Sequence, residues 1–84
     1  MSAKGNLTMN KAIEKRIGDN IRRIRESLYM TQEVLSAKLQ LDGCDITRSA
    51  VAKIEVGQRH LYPDEILAIK KALNVSYEKI FDID

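Results

Sequence analysis

Eighty-four residues make a single domain, because a core of this size cannot be divided and stay stable. The chain is 44% hydrophobic and 31% charged, with one proline, one cysteine and one histidine, which excludes a disordered chain, a disulfide scaffold and a zinc site made by Cys44 and His60 alone. The net charge of +2 is unevenly placed: residues 1–62 hold 11 Lys/Arg against 7 Asp/Glu and residues 63–84 hold 3 against 5, which fits a polyanion-binding face or a solvated surface whose charges segregate.

No apolar run approaches the roughly 18 residues of a membrane span. Lys4, Asn6, Asn10 and Lys11 break up any apolar signal region, so the expected location is cytoplasmic, with no membrane partner. Residues 1–10 are polar and aperiodic and are expected to form a flexible N-terminal arm ahead of one domain over 11–84. The stripe Ile13, Ile17, Ile21, Ile24 and Leu28 then predicts the longest helix. Gly18 weakens that helix by about 1 kcal/mol relative to alanine without breaking its pattern.

Thr31 offers an N-cap oxygen for a short second helix over 31–39, with Gln32 and Glu33 in its first turn and Val34, Leu35, Ala37 and Leu39 apolar. Residues 40–46 form a connection with turn chemistry at Asp42-Gly43. Thr47 caps a third helix that runs through Glu55, turns Val51 and Ile54 inward and stops at Gly57. Pro63 suits the first turn of a fourth helix, where Asp64 and Glu65 face the positive end of the dipole. Ile66, Ile69 and Leu73 are its stripe and Asn74 its terminator. Ser76 caps a short fifth helix whose Tyr77, Ile80 and Phe81 are expected to close the base of the core. No segment has the period of a strand, so the expected fold class is all-α with five helices and an aliphatic core.

Taken together, Ile17 to Leu28 with Arg25, then Thr31-Gln32-Glu33, Leu35, Leu39, Thr47-Arg48-Ser49, Val51, Lys53-Ile54-Glu55, Gly57 and Ala72-Leu73-Asn74-Val75-Ser76 resemble the Cro/repressor-type (Xre-like) helix-turn-helix family. The resemblance covers roughly residues 13–81 and implies a five-helix lambda-repressor-like DNA-binding domain. It further implies a small transcriptional regulator, a repressor, that binds double-stranded DNA by sequence and associates with the nucleoid. Such domains commonly bind a palindromic operator as a homodimer, since one small module buries little surface. Val56, Leu61, Tyr62 and the fifth helix are the dimer candidates, although core packing explains the first three equally well.

A helix fits the major groove, and side chains near its N-terminus reach base edges. Helix 47–55 suits that task, with Thr47, Arg48, Ser49, Ala52 and Lys53 as its candidate DNA-binding residues. Arg48 can donate two hydrogen bonds to a guanine, Lys53 can reach the same acceptors or a phosphate, and Ser49 discriminates poorly. Ala50 and Ala52 permit close approach, or serve helix propensity alone. Thr31 and Gln32 sit where free helix N–H groups bind phosphate. The resemblance implies that Gln32 contacts a phosphate and braces the recognition helix; an exposed first-turn residue is the plain alternative. Lys38, Gln58 and Arg59, with His60, are candidate backbone contacts on the rim. By the resemblance, Arg25 and Glu55 form a partly buried ion pair.

One departure stands out. The usual turn between the two motif helices has about three or four residues. Here seven separate Leu39 from Thr47, and the extra segment either extends the second helix or bulges as a loop. Cys44 within it is expected to be a small, partly buried apolar residue. Because the fold can also hold a protein partner, an antitoxin-like interaction module is the alternative function. An enzyme is not expected: there is no Cys–His pair at a plausible spacing, no paired carboxylates and no phosphate-cradling glycine loop. No cofactor and no metal are implied.

Overall fold

The computed structural model describes the backbone of residues 2–82 and the side chains of residues 11–82. Among these residues every element is a helix: α1 (Ser2–Ser27), α2 (Gln32–Leu41), α3 (Arg48–Glu55), α4 (Pro63–Leu73) and α5 (Tyr77–Ile80). The expected all-α, five-helix fold is the observed one.

Helix α1 begins at Ser2, so the backbone of the expected arm continues the helix; the side chains of 2–10, and Met1, lie outside the described residues. Once the apolar turns are docked, each further residue adds one hydrogen bond, so propagation toward the N-terminus needs no second nucleus. With 26 residues α1 is about 39 Å long at 1.5 Å per residue, and the whole molecule measures 42 × 24 × 18 Å. Helix α1 therefore spans nearly the whole long axis of the molecule. Ile21 is buried and Ile17 and Ile24 pack on the core, whereas Ile13 and Leu28, at the two ends of the expected stripe, are left partly exposed.

Helices α1 to α4 each end on one residue in the left-handed region: Tyr29 (φ 59°), Gly43 (φ 81°), Gly57 (φ 76°) and Asn74 (φ 54°). In each case the next N–H turns back to an orphan carbonyl: Met30 to Arg25 (3.1 Å), Cys44 to Leu39 (2.8 Å), Gln58 to Lys53 (2.8 Å) and Val75 to Lys70 (3.3 Å). Gly57 and Asn74 act as expected. Gly43 ends α2 two residues later than the expected boundary at Leu39, so the extra segment both lengthens α2 and leaves a linker of residues 42–47.

The core is aliphatic: Ile21 from α1, Leu35 and Leu39 from α2, Ile46 from the linker, Val51 and Ile54 from α3, Ala68, Ile69 and Leu73 from α4 and Ile80 from α5. Each large side chain here stabilises the fold by about 1.5–3 kcal/mol before entropy is subtracted. Of the three fifth-helix residues expected to close the core, only Ile80 is buried. Tyr77 and Phe81 stack on each other at 6.2 Å outside it, with the Lys70 ammonium 5.1 Å from the Tyr77 ring. A four-residue helix can turn only one side inward, and its other ring faces find each other instead. Asn20 Nδ2 donates to the Ile80 carbonyl at 3.0 Å and ties α5 to α1.

Candidate nucleic-acid interface

Helix α3 starts where Thr47 places its hydroxyl to accept the Ala50 N–H at 3.2 Å. From that start, 100° per residue turns Val51, Ile54 and Glu55 inward, where all three are buried. Ser49 and Lys53 fall on the opposite side with Ala52 at its edge, and Arg48 extends from the leading turn. Thr47, Arg48, Ser49 and Lys53 are exposed, and Ala52 is half-buried. Among the described residues neither Arg48 nor Lys53 takes part in an ion pair. The outer side of α3 thus offers two free cations, a hydroxyl and a small methyl surface to a groove.

The inner side is fastened to α1 and α2. Arg25 Nε and Nη2 donate to the two Glu55 carboxylate oxygens at 2.7 and 3.1 Å, while Nη1 donates to the Met30 carbonyl at 2.7 Å. Gln32 Nε2 donates to the same carboxylate at 3.0 Å. Both charged partners are buried, so the expected ion pair is present and more fully desolvated than a surface pair. The bond to Glu55 makes Gln32 the expected brace. Close by, α1 touches α3 backbone to backbone: a Cβ at Gly18 would lie 2.1 Å from the Ile54 carbonyl oxygen. At Gly57 a Cβ would lie 2.8 Å from the Lys15 Cα, so α1 also meets the chain just past the end of α3.

The remaining candidates are placed less uniformly. Thr31 caps α2 with its hydroxyl accepting the Val34 N–H at 3.1 Å, exposed and next in sequence to Gln32. Lys38 lines a groove with Leu41, Asp42, Ala68, Lys71 and Ala72, which sets it between α2 and α4 rather than beside α3. Gln58 is exposed and lines another groove with Lys11, Glu14, Gly57, Arg59 and His60, where His60 Nδ1 meets the Glu14 carboxylate. Arg59 has turned inward. Its Nη1 and Nη2 each donate to a Glu65 oxygen at 2.9 Å, and Nη1 also donates to the His60 carbonyl. These bonds hold the Glu65 carboxyl below the usual carboxylate range, against an opposing effect of burial, with a further contribution from the Tyr62 N–H.

Sequence reasoning missed Gly18, Glu65 and the residues that hold the linker. A helical glycine reads as a propensity cost, and nothing in its neighbours announces a helix crossing. Glu65 carries a sequence signal, since it stands three residues after the N-cap Tyr62, and it accepts the Tyr62 N–H at 3.1 Å. In the linker, Ile46 is fully buried, and its carbonyl accepts from the Ser36 hydroxyl at 2.7 Å and from Gln40 Nε2 at 3.4 Å. Cys44 is half-buried against the core as expected, and burial pushes its thiol up, reinforced by the nearby carboxylates of Glu65 and Asp64.

Among the described residues no group of three or more His, Cys, Asp or Glu side chains could hold a metal ion, and no helix is long and apolar enough to cross a membrane. A family model described as helix-turn-helix matches residues 21–80. The crystal structure of the restriction-modification controller protein C.AhdI from Aeromonas hydrophila is similar, with a TM-score of 0.74 and 28% identity, over 84% of this chain and 96% of that one. No curated protein matches the chain.

Proposed function

This chain belongs to the Cro/repressor-type helix-turn-helix family of DNA-binding, non-enzymatic transcription regulators, and from that premise we propose that it is a repressor that inserts α3 into the major groove of a specific operator. The observation that carries this reading is the division of α3 into a locked inner side and an outer side with free cations. Val51, Ile54 and the Glu55 carboxylate hold the helix, which leaves Arg48, Ser49 and Lys53 to meet bases and phosphates. Thr47 and Ala52 border that surface, and Thr31 and Gln32 supply a phosphate contact from the start of α2. Gln58 serves as a rim contact. Arg59 contributes from the same loop mainly by fastening it to α4, and Lys38 reaches phosphate only from the margin of the footprint.

One such module buries too little surface for tight, specific binding, so the proposed unit is a homodimer on a palindrome with half-sites about 34 Å apart. Exposed apolar surface for the contact between copies comes from Val56 and Tyr62 and from the Tyr77–Phe81 stack; Leu61 is packed on the core and offers little. The proposed location is the cytoplasm, on the nucleoid.

The test is selection from a pool of random duplexes at two salt concentrations, with wild type beside Arg48→Ala/Lys53→Ala. Enrichment of a short palindrome that disappears in the variant supports the reading. Absence of binding at both concentrations contradicts it, because phosphate contacts must strengthen as salt is lowered. A second reading, an antitoxin-like module holding a protein partner, is favoured by one feature. Leu41 is 90% exposed beside the groove between α2 and α4, an unusual place for a large aliphatic side chain.

A further inference from the structure

We propose that Ser36 is a positioning residue for base reading: its hydroxyl, with the Gln40 amide, clasps the Ile46 carbonyl and so sets the angle at which α3 meets DNA. The inference rests on the reading of α3 as the helix that enters the groove. A turn of three or four residues fixes the angle between two helices through its own covalent shortness. Residues 42–47 here are too many for that, so something else must do it.

The trailing end of α3 is well held, by Arg25 and Gln32 on Glu55 and by the Gly18 approach to Ile54. The leading end carries Arg48 and Ser49 and has none of those contacts. What it has is the peptide group between Ile46 and Thr47, the N-cap residue itself. The Ile46 side chain is fully buried in the core, which fixes one side of that peptide. Its carbonyl oxygen accepts from Ser36 Oγ at 2.7 Å and Gln40 Nε2 at 3.4 Å, and Gln40 Nε2 also reaches Ser36 Oγ at 3.3 Å. Ser36 is itself buried, one turn before Gln40 on α2. The clasp therefore ties the cap of α3 directly to the body of α2 and does the work that a short turn does elsewhere.

A change of angle at this point acts unequally on the contacts made by α3. A bidentate bond from Arg48 to a base edge is lost with a small rotation, whereas a flexible lysine still finds a phosphate. Loss of the clasp should reduce sequence discrimination while leaving non-specific affinity and its salt dependence in place. A merely structural role would lower both together.

The experiment compares wild type, Ser36→Ala, Ser36→Thr and Gln40→Ala for affinity to the selected operator and to a scrambled duplex. Residual dipolar couplings on the free proteins report the angle between α2 and α3. Ser36→Ala is expected to lower the ratio of specific to non-specific affinity about tenfold, the size of one lost base discrimination. Its non-specific affinity stays within about twofold on the same ground, that flexible phosphate contacts tolerate rotation. The helix angle shifts, and Ser36→Thr restores part of the ratio by returning a hydroxyl. An unchanged ratio in folded Ser36→Ala, or an equal fall in both affinities, overturns the proposal. Should Ser36→Ala not fold, Gln40→Ala carries the test, since Gln40 is exposed and its loss leaves the core intact. Wild type that selects no sequence brings down the DNA-reading function together with this inference. Wild type that selects while the variants select equally well brings down the inference alone.

Discussion

Gly18 of α1 and Ile54 of α3 meet backbone to backbone, with room for a hydrogen but none for a methyl group: a Cβ on residue 18 would stand 2.1 Å from the Ile54 carbonyl oxygen. The crossing brings the long helix close enough for Arg25, two turns further along it, to reach Glu55. Gly18→Ala therefore sets two effects against each other. Alanine gains about 1 kcal/mol of helix propensity, and the clash with fixed backbone costs more. A net loss of about 1–3 kcal/mol is expected, as for other overpacked sites, and urea denaturation measures it. A variant as stable as wild type would mean that α1 and α3 are not in contact here.

Arg25→Ala leaves the Glu55 carboxylate buried with only Gln32 to donate to it, because two of its three hydrogen bonds come from Arg25. Removing one partner of a buried pair typically costs about 3–5 kcal/mol, far more than the pair contributes over an apolar replacement. A circular-dichroism melt should show a large drop in Tm. DNA affinity should fall as well, since α3 loses its anchor. Wild-type stability in this variant would contradict the account of how α3 is held.

The Arg59–Glu65 pair makes a prediction in acid. Hydrogen bonds from Arg59 lower the folded-state pKa of Glu65 below its ordinary value of 4.5. A depressed carboxyl contributes stability that is fully present above 4.5 and is lost as pH falls through the lower folded value, where both states are protonated. Glu65→Gln should be less stable than wild type at neutral pH, and the two curves should converge in acid. Denaturation across that window checks the sign. A gap that stays constant down to the lowest pH would show that the Glu65 charge contributes nothing.

Cys44 should be unreactive. Burial and the neighbouring carboxylates of Glu65 and Asp64 disfavour the thiolate. Alkylation by iodoacetamide at neutral pH should be slower than for a free cysteine peptide. A rate equal to the peptide's would show that neither burial nor those carboxylates suppress the thiolate.

Much of the architecture was legible because local chemistry and tertiary structure agree. Thr47 and Gly57 bracket α3, and both act in the structure as their residue types suggest, one as an N-cap acceptor and one in the left-handed region. The Arg25–Glu55 pair was legible only through family resemblance, since thirty positions separate the partners and no local periodicity connects them. Other features had no sequence signal. Tyr29 ends α1 at φ 59°, a conformation that tyrosine rarely adopts and for which glycine or asparagine would have been the cue. Lys38 and Arg59 look like rim cations by charge and position. Which way a long side chain turns depends on partners across the fold, and α4 supplies those partners as a groove for Lys38 and as Glu65 for Arg59. Ile46 reads as one of three apolar residues in its connection, with Leu41 and Cys44, and nothing local says that it alone is fully buried while Leu41 is left exposed.

Whether α3 is the element that enters the DNA groove is decided by mapping backbone amide shifts on addition of a selected operator duplex. The largest changes are expected over residues 47–53, with a second group at Thr31 and Gln32 and little change along the groove between α2 and α4. Changes concentrated around Leu41, Leu67 and Lys71, with residues 47–53 unmoved, would contradict it.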